Sequence, residues 1–154
     1  MSGGGVQVLG LTQLTGAFVA LEHDLERATR LATAHAAHLA EARIKQMLTT
    51  SSHPKGTPTP SAPGEPPSLV TGTLRRSTKV VGPIPVGFGK WLAQVGPTAV
   101  YGRIQELGGT AGHGAELPPR PYVQPAYEQL IASGAISRTY HTAWRAALAR
   151  GAAH

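Results

Sequence analysis

The stretch TQLTGAFVALEHDLERATRLATAHAAHLAEARIKQML, residues 12–48, decides how the rest of the chain can fold. Its apolar positions Leu14, Phe18, Leu21, Leu25, Ala28, Ala32, Leu39, Ile44 and Leu48 step mostly by three or four, the spacing of one face of a helix. Glu22, Glu26, Arg27 and Arg30 mark the polar side, and alanine dominates residues 28–42, where its high helix propensity counts most. At 1.5 Å per residue such a helix is roughly 55 Å long, more than a small globule covers. It is therefore expected either to bend or to pack against a neighbouring subunit.

Beyond it, TTSSHPKGTPTPSAPGEPPS at 49–68 is dense in proline and glycine, which remove backbone donors and break regular structure. A long exposed loop or arm at about 49–70 is expected, with a plain flexible linker as the other reading of the same composition. The β-branched run after it suggests a strand from Thr73 to Val81, PIPVG reads as a stiff turn, and FGKWLAQVG alternates like a partner strand. AVYGRIQEL fits a third strand or a short helix equally well. Gly108, Gly109, Gly112 and Gly114 read as a shaped connection, and helical spacing resumes at Pro125, with Gly134 placed to kink or split it. The expected fold is α+β: a long N-terminal helix, a small antiparallel sheet, and a C-terminal helix or helix pair. All of this fits a single domain over residues 1–154.

The chain has 154 residues, no cysteine and a formal charge of +6. Disulfides and thiolate metal sites are excluded. MSGGGVQVLG has no basic, apolar leader pattern, and no stretch approaches the roughly 18 apolar residues of a membrane span. A soluble protein with no membrane partner is expected. The charge is uneven: from residue 71 onward nine bases face three acids, while the first 50 residues are balanced. Such a half can attract a polyanion such as DNA, or can simply be a solvated surface, since its bases are scattered.

Enzyme signatures are thin. Gly89-Lys90 is followed by Trp91 and preceded by Ile84 where a phosphate-binding loop needs glycine. The only aspartate, Asp24, lies on the charged side of the first helix. His35, His38 and Glu41 step by three, so successive side chains rotate back by about 60° and converge poorly on an ion. His113 sits between glycines with no companion acid. Tyr101, Tyr122 and Tyr127 offer packing with a polar tip. No catalytic residue, metal or cofactor is expected.

Three segments occur in a suggestive order: GEPPSLVTGTLRRS (64–77), YGRIQELGG (101–109) and PPRPYVQPAYE (118–128). Together they resemble the tailed-bacteriophage family of head–tail joining and tail-completion proteins, of the minor tail protein Z type. The matching positions are Thr71, Gly72, Leu74 and Ser77; Tyr101, Glu106 and Gly108; and Arg120, Pro121, Pro125 and Ala126. Tyr122 stands where the family usually has phenylalanine, Gly102 where alanine is commoner, and Leu107 where an aromatic is usual. The resemblance implies a structural virion protein of the neck or upper tail, assembled in the host cytoplasm, with no enzymatic activity. It implies a ring, a hexamer of about six copies by closed symmetry, whose neighbours are neck, tail-terminator or tail-tube proteins and through which DNA passes without sequence recognition. Arg75, Arg76 and Lys79 are then the expected DNA-facing residues, and Glu106 caps a turn or pairs with Arg103 or Arg120. A small basic DNA-binding module is the alternative reading; a small hydrolase or metal enzyme is a more distant one.

Overall fold

The structure, a computed structural model, describes residues 10–50, 52–56 and 61–151. It is α+β, in the expected order. α1 runs over Leu11–Met47 and α2 over Thr73–Ser77. β1 (Thr78–Gly87) and β2 (Lys90–Pro97) form an antiparallel hairpin, with Thr78 opposite Pro97 and Gly87 opposite Lys90. α3 (Gly102–Leu107), a two-residue ribbon of β3 (Gly109–Thr110) and β4 (Glu116–Leu117), α4 (Val123–Ala132) and α5 (Ala135–Gly151) complete the chain.

α1 is the spine against which the hairpin, α4 and α5 all pack. It is 37 residues long and is closed at its C-terminal end by two threonines. The Thr49 hydroxyl donates to the carbonyl of Gln46 (2.6 Å) and that of Thr50 to Met47 (2.9 Å). These bonds satisfy acceptors that a helix end leaves open. α5 returns antiparallel along α1: Arg150 lies 3.7 Å from Asp24, Trp144 Nε1 donates to Thr29 Oγ1 (3.0 Å), and the Tyr140 and Thr33 hydroxyls share a hydrogen bond of 2.8 Å. Ala28, Ala32 and Ala147 are buried along this pair, so small side chains let the two helices approach closely. The principal core lies at the other end of α1, where Ile44 and Leu48 meet Leu74, Tyr122 and Ala126, with Met47, Val95, Ala99 and Val123 around them.

Several local expectations change. The strand begins at Thr78 and not at Thr73, because Gly72, at φ 70°, starts a helical turn. That turn buries Leu74 and closes through Ser77 Oγ on the Leu74 carbonyl (2.8 Å). PIPVG is the second half of β1, and the hairpin turns instead at Phe88-Gly89. An edge strand tolerates proline, and the register shift between Val81 and Ile84 absorbs Pro83. AVYGRIQEL resolves to the short helix α3, and Gly134, at φ 67°, splits the C-terminal helix into α4 and α5. The expected arm at 49–70 lies partly outside the described residues, at 51 and 57–60. Its described part from Ser61 is fastened to the chain's own body: Gly64 N–H donates to the Pro119 carbonyl (2.9 Å) and Arg120 Nε to the Ser61 carbonyl (2.9 Å).

The bulge in β1 depends on Gly82. It holds φ 100°, and a Cβ built there would lie 2.6 Å from the carbonyl oxygen of Leu92. Gly82→Ala should cost about 1–3 kcal/mol through backbone strain. Gly96→Ala, on the partner strand with open space around its Cβ, should stay within about 0.5 kcal/mol. Urea denaturation of the two variants side by side checks the contrast.

Candidate functional site

The three sequence segments that are far apart in the chain meet around Tyr122, which is wholly buried. Glu106, on α3, provides the join. Its carboxylate accepts hydrogen bonds from the backbone N–H groups of Tyr122 (2.7 Å), Val123 (2.9 Å) and Gln124 (2.9 Å). An α-helix leaves four N–H groups without partners at its start. In α4 the fourth position is Pro125, which has no N–H to satisfy. Glu106 and Pro125 between them therefore account for the whole N-terminal end of α4, and the negative charge also meets the positive end of the helix dipole. Of the roles open to Glu106 in the sequence, the geometry selects the cap.

The other motif positions serve the same junction. Leu74 and Ala126 are buried beside Tyr122 in the core. The Thr71 hydroxyl lies 2.9 Å from that of Thr73 and receives the Thr73 N–H at 3.4 Å, at the start of α2. Arg120 is buried, with its backbone N–H on the Gln105 carbonyl (2.8 Å) and its side chain on Ser61; Pro121 beside it is partly buried. Gly108 takes φ 69°, and a Cβ there would fall 2.8 Å from both Leu117 O and Pro119 N, so no other residue fits. Tyr101 precedes α3 and remains exposed.

Two of the departures from the family pattern touch each other. The Tyr122 hydroxyl donates to the carbonyl of Gly102 (3.1 Å). A Cβ at residue 102 would sit 3.3 Å from that hydroxyl and 2.6 Å from Pro97 Cγ. The Pro97 ring, more than the Tyr122 hydroxyl, is what a side chain at residue 102 would meet. Leu107, the third departure, is exposed at the rim of the junction, beside Glu106 and Tyr122.

Arg75 and Arg76 project from α2 and Lys79 from β1, all exposed and without an ion pair among the described residues. His38 Nδ1 lies 3.2 Å from Glu41 and Lys45 Nζ lies 2.6 Å from it. Lys45, and then His38, hold the Glu41 carboxyl below the usual carboxylate range by hydrogen bonding. His35 is exposed, and among the described residues no group of three metal-ligating side chains could hold an ion. His113 is exposed at φ 64° in a 3₁₀ turn. A cavity of about 350 Å³ between α1, β2, α4 and α5 is lined by Ala37, Trp91, Tyr127, Tyr140 and other uncharged residues. Its titratable side chains are the two tyrosines.

What sequence reasoning missed is the apolar surface. Leu11, Leu14, Phe18 and Val19 at the start of α1 are exposed, as are Val81, Ile84 and Leu92 on the hairpin, Phe88 at its tip (84 %) and Val100 (97 %). The periodicity marked the helix and strand positions, but nothing local told which face would find a partner.

Removing the cap should be costly. Glu106→Ala leaves three N–H groups unpaired and should destabilise by about 1–3 kcal/mol, and Glu106→Gln by less, read from urea denaturation. Tyr122 supplies a pH signature: burial, then the Glu106 charge and Tyr101, push its phenol above the ordinary value. The unfolded chain ionises tyrosine near pH 10, while the folded chain keeps the proton to higher pH. The resulting stability is complete below about pH 10 and declines as pH rises, by up to about 1.4 kcal/mol per pH unit. Tyr122→Phe should lower stability at neutral pH yet flatten the decline above pH 10, as the difference between the two denaturation profiles.

Compared with protein-family models, curated proteins and solved structures, the chain finds no match in any of the three.

Proposed function

We propose that the chain is a structural virion protein of a tailed bacteriophage, a subunit that assembles into a ring at the neck or upper tail and helps join the DNA-filled head to the tail. One observation carries this reading. The three segments that resemble the head–tail joining family converge on a single junction in which Glu106, Arg120 and Tyr122 are all engaged by backbone groups. Residues so engaged shape a fold, which is the part they play in a structural subunit. The exposed apolar side chains on α1 and on the hairpin are what a subunit shows before its neighbours cover them. The hairpin also has an open edge on each side.

Its partners on this reading are copies of itself, closed by cyclic symmetry in a hexamer, with neck, tail-terminator or tail-tube proteins above and below. The exposed Arg75, Arg76 and Lys79 then face passing DNA, which they attract without reading its sequence. The same basic residues favour the second reading, a small DNA-binding module.

Light scattering across a concentration series separates the two. A discrete oligomer is expected, and exchanging Arg75, Arg76 and Lys79 for alanine should weaken its DNA binding and its salt dependence without changing its mass. A strict monomer that binds DNA tightly in moderate salt would replace the first reading with the second.

A further inference from the structure

β1 and β2 form a sheet of two strands, so each has one edge with no strand beside it among the described residues. The two edges differ. β1 carries Pro83 and Pro85 and a register shift between Val81 and Ile84, and proline and bulges make an edge a poor template for another strand. β2 has no proline from Lys90 to Gly96. In a hairpin every second residue turns its N–H and C=O away from the partner strand. Among the described residues no other backbone group is hydrogen-bonded to that outer edge of β2.

A groove runs beside this edge. β2 and α5 both pack on α1, and between them lies the cavity of about 350 Å³. It meets Trp91, Leu92 and Ala93 in succession. Alternate residues of a strand point to opposite faces, so contact with three in a row means that the cavity follows the strand itself. Its floor is α1 at Ala36, Ala37 and Ala40, whose short side chains leave depth above the helix, and Tyr127 and Tyr140 line it from α4 and α5. No charged side chain lines it among the described residues. An unpaired strand edge beside an apolar floor suits an extended, uncharged segment that adds as a third strand and sets alternate apolar side chains into the cavity.

The chain holds such a segment. Residues 1–9, 51, 57–60 and 152–154 lie outside the described residues. Residues 57–60 read Thr-Pro-Thr-Pro, two prolines in a ladder that needs donors, and residues 152–154 read Ala-Ala-His, with no β-branched side chain. Val6, Gln7, Val8 and Leu9 are uncharged, alternate at the two valines and include no proline. Their own copy cannot use them. The groove begins on α1 at Thr33, roughly 34 Å along the helix from Gly10 at 1.5 Å per residue, whereas Val6 reaches at most about 14 Å from Gly10 even when fully extended.

We propose that residues 6–9 of a second copy of this chain add to the outer edge of β2 and fill the groove above Ala36, Ala37 and Ala40. The inference rests on the reading of the chain as an assembling subunit and specifies the contact. Donor and acceptor are different parts of the chain, so the contact is heterologous. Each copy gives its segment to one neighbour and takes one from the other, and repetition gives a ring or an open filament. The length of α1 suits this exchange, because it carries the segment away from the groove of its own copy.

The test compares the full chain with one lacking residues 2–9, by light scattering and by hydrogen exchange of the β2 amides, across a concentration series. The expected result is a discrete oligomer for the full chain, a monomer for the shortened one, and exchange in β2 at least about tenfold faster in the shortened chain. A peptide of residues 1–9 added to the shortened chain should restore the protection. The same peptide with Gln7→Pro and Val8→Pro should not, because one of two consecutive N–H groups has to face β2. The deletion and the peptide changes leave residues 10–151 intact, so they test the contact and not the fold. If the full chain forms an oligomer but the deletion leaves β2 exchange unchanged, this contact is overturned and the assembly reading stands. A monomer at every concentration would overturn both together.

Discussion

The carboxylate of Glu106 at the start of α4 is the interaction on which the junction of α2, α3 and α4 depends. Tyr122, the residue before α4, has no side-chain acceptor to offer its own helix, so the cap has to come from elsewhere in the chain. By receiving three N–H groups at once, Glu106 fixes the angle between α3 and α4 and sets Tyr122 into the core. Other features follow from that placement. Gly102 must be small because the Pro97 ring lies against it, with the Tyr122 hydroxyl just beyond, Gly108 must adopt its positive φ because Leu117 and Pro119 close over it, and Arg120 is brought to where it holds the segment at Ser61.

The helical half is held differently. α1 and α5 meet through alanines and through hydroxyl and indole hydrogen bonds, with few large apolar side chains between them. Burying an alanine removes little apolar area from water, so such a pair gains less from burial than a leucine-rich one would. Leucine, phenylalanine and tryptophan are present along these helices, yet Leu14, Phe18, Leu31, Trp144 and Leu148 remain substantially exposed. Along this helix pair the large apolar residues lie outside and the small ones inside, which is in keeping with the proposed assembly.

Charge follows the same division. Three of the four acids of α1, Glu22, Asp24 and Glu26, lie in its first half, while the charged residues of α2 and the hairpin are arginine and lysine alone. On the proposed reading, Arg75, Arg76 and Lys79 serve DNA.

Fold class was legible in the sequence because it rests on local periodicity: the three-to-four spacing from Leu14 to Leu48, the alternation around Trp91, and the glycine at 134 each act within a few residues. The errors also had local causes. Gly72 and Leu74 sit in a run rich in β-branched residues, and only the need to bury Leu74 against Ile44 and Leu48 turns that run into a helix. The prolines of PIPVG suggested a turn, whereas an unpartnered strand edge accepts them. At the candidate site the sequence by itself marked constrained backbone through its glycines and prolines, and it was the resemblance, not the spacing, that singled out Glu106, Arg120 and Tyr122. Only the tertiary structure decided what each does, because Glu106 acts on N–H groups sixteen and more residues away and the groove beside β2 exists only relative to where α4 and α5 lie. Hydrogen-bond partners and surface are properties of chain segments brought together, and neither is written in the spacing of one segment.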